Sequence, residues 1–220
     1  MQIICLTLAF WFLLVSFAAA SPSKMEILGF DPKALPQEIR YKGEVVAGAR
    51  WLDKEGENLL LLCETGPLSR PVPRSSKRYL FGEWGSIAEL YGYHYVKAKE
   101  KYRLLWKLYD FAEICQEDIE ATFLPNSLTI TDLDNNGLAE SIFLYKLGCR
   151  GGIGPASLKL IMREGKVKYA MRGETLVRTT GDPDEGGQKT LDPAFRRAPK
   201  VFLDHALRQW DAFVEEKFGE

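Results

Sequence analysis

The chain is poor in the groups that most enzymes use for proton and metal chemistry. It has two histidines, His94 and His205, in different segments, and no HExxH, CxxC or GxSxG motif. The zincin, thioredoxin-like and nucleophile-elbow chemistries therefore have no foothold. Isolated histidines of this kind are usually structural or solvated. Charge bias is also absent. Lys and Arg total 29 against 30 Asp and Glu, a formal net charge of −1. Nothing in that balance implies nucleic acid or an anionic membrane as a global partner. Only one long apolar run is present, and it lies at the N-terminus.

That run covers Ile3 to Phe17 and is followed by Ala18-Ala19-Ala20, then Ser21 and Pro22. Small residues in an A-x-A pattern after an apolar stretch read as a secretory signal peptide over residues 1–20. The n-region carries no Lys or Arg, and the competing reading is an uncleaved membrane anchor. Cys5 has no lipobox ahead of it. Cleavage would remove no charged side chain and would leave about 200 residues, enough for one domain with a sizeable core.

Cys63, Cys115 and Cys149 then remain. An oxidising compartment makes one disulfide and one leftover thiol the expected outcome. Three pairings are open. Cys115–Cys149 is preferred because both residues end apolar runs beside turn-like residues, whereas Cys63 follows "LLLL" and reads as a buried small apolar residue.

After an irregular stretch over residues 21–43, one pattern recurs. "EVVAGARWLDKEGENLLLLCET", "AELYGYHYVKAKEKYRLLWKLYDFAE", "SLTITDLDNNGLAESIFLYKLG" and "SLKLIMREGKVKYAMRG" each place two apolar runs around a polar or glycine turn. Each reads as a β-hairpin. Alternation puts Tyr91, Tyr93 and Tyr95 on one face and Gly92, His94 and Val96 on the other. The expectation is a mainly β domain over residues 44–220, with about eight antiparallel strands forming a sandwich, barrel or propeller-like meander. A helix should follow at about residues 199–218. Its apolar stripe would be Phe202, Leu203, Ala206, Leu207, Trp210, Phe213 and Val214, with Pro199 opening it and Gly219 stopping it. Two stretches, 65–86 and 178–199, read as long loops. The first carries Arg70, Arg74, Lys77 and Arg78, a candidate contact for a polyanion. The second holds Asp182, Asp184 and Glu185, then Arg196 and Arg197.

"TDLDNNGLAE" is the sharpest local signal. Asp132, Asp134 and Asn136 occupy alternate places, Gly137 supplies a turn, and the Leu138 carbonyl and Glu140 follow. Calcium takes about six to eight oxygens, and such spacing delivers them. Phe143 stands where an EF-hand places its bidentate Glu, and the flanks are strand-like, so this is no EF-hand. Weak calcium binding, on the order of 10⁻⁴ to 10⁻³ M, is one reading. A bare tight turn is the other. "GCRGGIGPAS" lacks the following helix of a phosphate cradle and reads as a loop whose glycines take positive φ. Glu89, Asp110, Glu113 and Asp118 offer carboxylates, but their spacing singles out no glycosidase pair.

The order "ITDLDNNGLAE", a Tyr-Lys strand, "CRGGIGP", then "LKLIMREGKVKYAMRG" resembles a family of exported bacterial proteins called surface polysaccharide biosynthesis proteins. The resemblance is strongest over residues 109–173. It implies a role at the cell surface without a defined reaction, and the placement of Cys115 and Cys149 in it agrees with their pairing. Relatives often carry an acidic residue between the Cys and the Pro. Here that loop is Arg150 to Gly154, which lacks one. The expected function is an exported envelope protein, periplasmic or at the cell surface. It would bind or scaffold in connection with surface polysaccharide or an envelope protein, without nucleic acid and without a membrane span once the signal is removed. The alternative is a polysaccharide-acting enzyme using paired carboxylates.

Overall fold

The computed structural model describes residues 24–181 and 183–216, so the N-terminal apolar segment, Asp182 and Gly219 lie outside the described residues. All four expected hairpins form. Strands β1 (Glu26–Leu28), β2 (Glu44–Asp53), β3 (Gly56–Pro71), β4 (Trp84–Ala98) and β5 (Lys101–Cys115) pair in sequence order as one antiparallel sheet. A second sheet contains β6 (Asp118–Phe123), β7 (Thr129–Thr131), β8 (Glu140–Arg150), β9 (Ser157–Glu164) and β10 (Val167–Glu174). Strands β11 (Leu176–Val177) and β12 (Glu185–Gly186) pair separately. Strand β13 (Lys189–Leu191) completes the second sheet in the order β13-β10-β9-β8-β6, with β7 also on β8. Helix α1 spans Lys200–Phe213. The two sheets pack as a sandwich, and neither closes into a barrel.

Period-two alternation explains the layering. Leu60 and Leu62 of β3 face the second sheet with Leu90, Trp106, Leu108, Phe143 and Ile161. Leu59, Leu61 and Cys63 face the other way, beside Tyr91, Tyr93 and Tyr95. That outer face is covered by the N-terminal segment, which is therefore less irregular than its sequence suggests. Strand β1 pairs with β2, Ile39 is buried, and the Phe30 ring lies on Gly48, where an added Cβ would come within 2.2 Å of it. The far face of the second sheet is covered by α1. Phe202, Ala206 and Trp210 are fully buried against Leu158, Leu160, Met162 and Tyr169, and the other expected stripe residues are partly buried.

Four expectations need correction. First, residues 65–86 are no loop. Strands β3 and β4 stay paired out to Pro71 opposite Trp84, so only residues 72–83 lie outside them, with a 3-10 turn at Lys77–Phe81. Prolines are tolerated there because β2 pairs with β3 only as far as Glu64, so beyond it β3 is an edge strand with β4 as its one neighbour. Second, residues 178–199 contain β12, β13 and a 3-10 turn at Pro193–Arg197. Third, α1 begins with Pro199 as its cap and stops at Phe213, short of residue 218. Its continuation is captured by Leu176, which donates its N–H to the Val214 carbonyl and accepts from the Glu216 N–H. Fourth, none of the glycines in 148–157 has positive φ. The turn is held by Arg150, which reaches the Gly154 carbonyl at 2.5 Å.

Cys115 and Cys149 form the expected disulfide, and Cys63 is a buried free cysteine whose thiol burial pushes up to about 12. The bond ties the end of β5 in one sheet to the end of β8 in the other, across 34 positions of sequence. A closed loop of this size stabilises by roughly 3–4 kcal/mol in the chain-entropy picture. Urea unfolding of Cys115→Ala/Cys149→Ala is expected to show a loss of that order. An unchanged midpoint would mean that the sandwich contacts alone hold the sheets.

Candidate metal centre

The acidic loop connects β7 to β8 at one end of the second sheet. Asn135 and Gly137 take φ of 57° and 80°, the conformation that Asn and Gly tolerate best, so the local sequence dictates the turn. The loop folds around its own acids. Asp132 Oδ2 accepts from the Gly137 N–H at 3.1 Å, Asp134 Oδ1 from the Asn136 N–H at 3.2 Å, and Asn136 Oδ1 from the Leu138 N–H at 2.7 Å. Glu140 Oε2 accepts from the Leu133 N–H at 2.9 Å and the Thr131 hydroxyl at 3.1 Å. The first hairpin anchors the loop from outside. The Lys54 N–H donates to the Gly137 carbonyl at 2.9 Å and the Ala139 N–H donates to Asp53 Oδ2 at 3.2 Å.

One oxygen from each of Asp132, Asp134 and Glu140 lies within 4.8 Å of the others. A calcium ion about 2.4 Å from each ligand spans oxygens up to about 4.8 Å apart, so the cluster is compatible with one. Glu140 is 0% exposed, and its Oε1 has no hydrogen-bond partner; the buried Asp132 Oδ1 has none either. A buried carboxylate oxygen without a partner is costly. Burial, reinforced by the charges of Asp134 and Glu164, pushes the Glu140 carboxyl up to about 7 against its two hydrogen bonds. An entering cation would displace that proton. Asn136 and Leu138 join the loop's network, the latter through its N–H. Glu164, at the end of β9, was not legible in the motif. It arrives by register opposite Glu140, and its Oε1 accepts from Asn136 Nδ2 at 2.5 Å.

The other candidate residues are spread out. Arg70 lies in β3, and Arg74, Lys77 and Arg78 lie around the tip of the β3–β4 arm, beside the exposed Leu80, Phe81 and Trp84. Arg78 is engaged by the Ile114 carbonyl and by Glu113 at 3.8 Å. Glu89 is held by Lys42 at 2.5 Å and by the Tyr91 and Tyr109 hydroxyls at 3.1 and 3.0 Å. The Lys42 bond, ahead of burial, keeps its carboxyl below the usual range. Asp110 accepts from Tyr145 and Lys159 at 2.8 and 2.6 Å. A larger cleft of about 890 Å³ opens between β2 and the β6–β7 connection. It is mostly apolar, and Glu64, its acid, accepts from Thr122 and the Phe123 N–H at 2.9 and 2.6 Å. No helix among the described residues is long and apolar enough to cross a membrane.

No family model, curated protein or solved structure matches this chain.

His94 is 4% exposed, lies between Trp51 and Trp106, and shares a 2.9 Å hydrogen bond with Asn58 Oδ1. Burial, with a smaller push from Arg163, drives its imidazole down to about 3. The unfolded chain therefore takes up a proton below about pH 6.5 that the fold refuses. Stability from this group is complete above about pH 6.5 and is lost as pH falls toward 3, by up to about 1.4 kcal/mol per pH unit. Glu140 acts in the opposite sense, since the fold holds its proton up to about pH 7. The difference between wild type and His94→Gln isolates the histidine. Urea unfolding at several pH values should show a shallower acid loss in the variant, and parallel curves would refute the assignment.

Proposed function

We propose that this protein is an exported, non-catalytic component of the cell envelope that binds or scaffolds in connection with surface polysaccharide. Its β7–β8 loop takes calcium with weak affinity through Asp132, Asp134, Asn136, Leu138 and Glu140. One observation carries the calcium reading. Glu140 is fully buried, one of its oxygens has no partner, and it lies in the same loop as two other carboxylates at cation-binding separation. The likeness of residues 109–173 to exported surface-polysaccharide proteins supports the location, and the disulfide is compatible with an oxidising compartment. The non-catalytic reading is supported by Glu89 and Asp110, each held in an ion pair and tyrosine hydrogen bonds.

Thermal unfolding of the oxidised protein with calcium raised to about 10 mM tests the metal. At the affinity expected of such a loop, linkage stabilises by about 1.4–2.7 kcal/mol, a rise in Tm of roughly 3–10 °C. Glu140→Gln keeps an acceptor for Leu133 and Thr131, and should fold normally but lose the response. A wild type that ignores calcium would leave the loop as a turn alone. Export is checked separately by the N-terminal sequence of protein recovered from the cell envelope. A start at Ser21 supports the reading, whereas recovery in the cytosol with Met1 retained overturns it.

A further inference from the structure

The inner face of a β-sandwich is normally apolar, and here part of it is not. Strand register places Lys159, Ile161 and Arg163 of β9 opposite Arg172, Ala170 and Lys168 of β10, and Ile161 and Ala170 belong to the inter-sheet core. Alternation therefore turns all four cations toward the space between the sheets. The first sheet ends at β5, whose Lys107 to Asp110 form the opposite wall of a cleft of about 240 Å³ that these cations line. Asp110 is the only acid in that lining, and it is committed to Tyr145 and Lys159. Arg172 has Asp192 at 3.8 Å. Among the described residues, Arg163 and Lys168 have no carboxylate in ion-pairing range.

Arg163 is the most telling of the four. Its guanidinium stacks on Trp106, 4.5 Å from the ring centroid, and its buried Nε has no hydrogen-bond partner. A guanidinium is a rigid fork of donors suited to planar or tetrahedral oxyanions, and a buried donor left unpaired is costly. The two cationic rungs, Lys159–Arg172 and Arg163–Lys168, stand four residues apart along β9, roughly 13 Å. A cleft this small takes single charged groups, not a whole drug-sized ligand. Two such rungs suit charges repeated along an extended chain.

We propose that this cleft is an oxyanion site for an acidic sugar chain, with Arg163 and Lys168 holding one carboxylate or phosphate and Lys159 and Arg172 the next. The oxyanion site stands on the geometry alone, and the choice of a sugar as carrier rests on the polysaccharide role proposed above. Calorimetry at low salt with inorganic phosphate, trigalacturonate, neutral maltotriose and hexaglutamate separates the two. Trigalacturonate binding more tightly than the other three, and weakening as salt rises, is the expected result. Arg163→Gln should weaken it about tenfold, as should Lys168→Gln, whose exposed side chain carries no folding risk. Phosphate or hexaglutamate binding as well as trigalacturonate, with the same loss in the variants, would uphold the site and overturn the sugar. No binding by any anion, or binding untouched by Lys168→Gln in a folded protein, would overturn the site itself.

Discussion

Four consecutive leucines in β3, Leu59 to Leu62, none more than 1% exposed, set the terms for the rest of the molecule. A strand presents neighbours to opposite faces, so such a run requires cover on both. Each buried leucine is worth about 1.5–3 kcal/mol relative to exposure, and neither face can be left wet. The second sheet covers one face. The N-terminal segment, with Phe30, Leu35 and Ile39, covers the other. The second sheet has the same need, with Phe143 and Ile161 inward and Ile142 and Leu160 outward, and α1 answers it. The result is four layers built from one rule applied twice.

Polar groups are admitted to this interior where their partners are at hand. Asn58 and His94 share one bond, Asp53 accepts from Trp51 and Ala139, and Ser127 exchanges bonds with Leu144. Single unpaired atoms remain on His94, Thr129, His205, Trp210 and Glu216, and two further places hold a pair of them each. One is the acidic loop, with oxygens of Asp132 and Glu140 unpaired. The other is the Trp106–Arg163 contact, with the Trp106 Nε1 and the Arg163 Nε unpaired, although the Arg163 Nη1 donates to the Lys166 carbonyl. The acidic loop lies at one end of the second sheet, and Arg163 lines the small cleft beside β5.

Much of this was legible residue by residue. Hairpins show because runs and turns alternate locally, and the helix shows because Phe202, Ala206 and Trp210 recur at helical spacing. The acidic loop shows because all five of its suggested ligands lie within nine residues. What escaped depends on partners distant in sequence. Residues 65–86 look like a loop because prolines and charges mask a pairing that only β4 supplies. The α1 terminus was misplaced because Leu176, far upstream, captures the chain after it. The glycines at 148–157 looked conformationally special and are not, because Arg150 holds that turn.

The sequence by itself determined strand and helix periods, the turn chemistry of Asn135 to Gly137, and which cysteines end apolar runs. These rest on local sterics and solvation, which act over a few residues. Only the tertiary structure decided that the sheets form a sandwich, that Glu164 joins the acidic loop, and that Lys159, Arg163, Lys168 and Arg172 share one cleft. Those facts depend on register and on where the first sheet stops. Both are set by which apolar faces must meet, a condition satisfied by the whole chain at once.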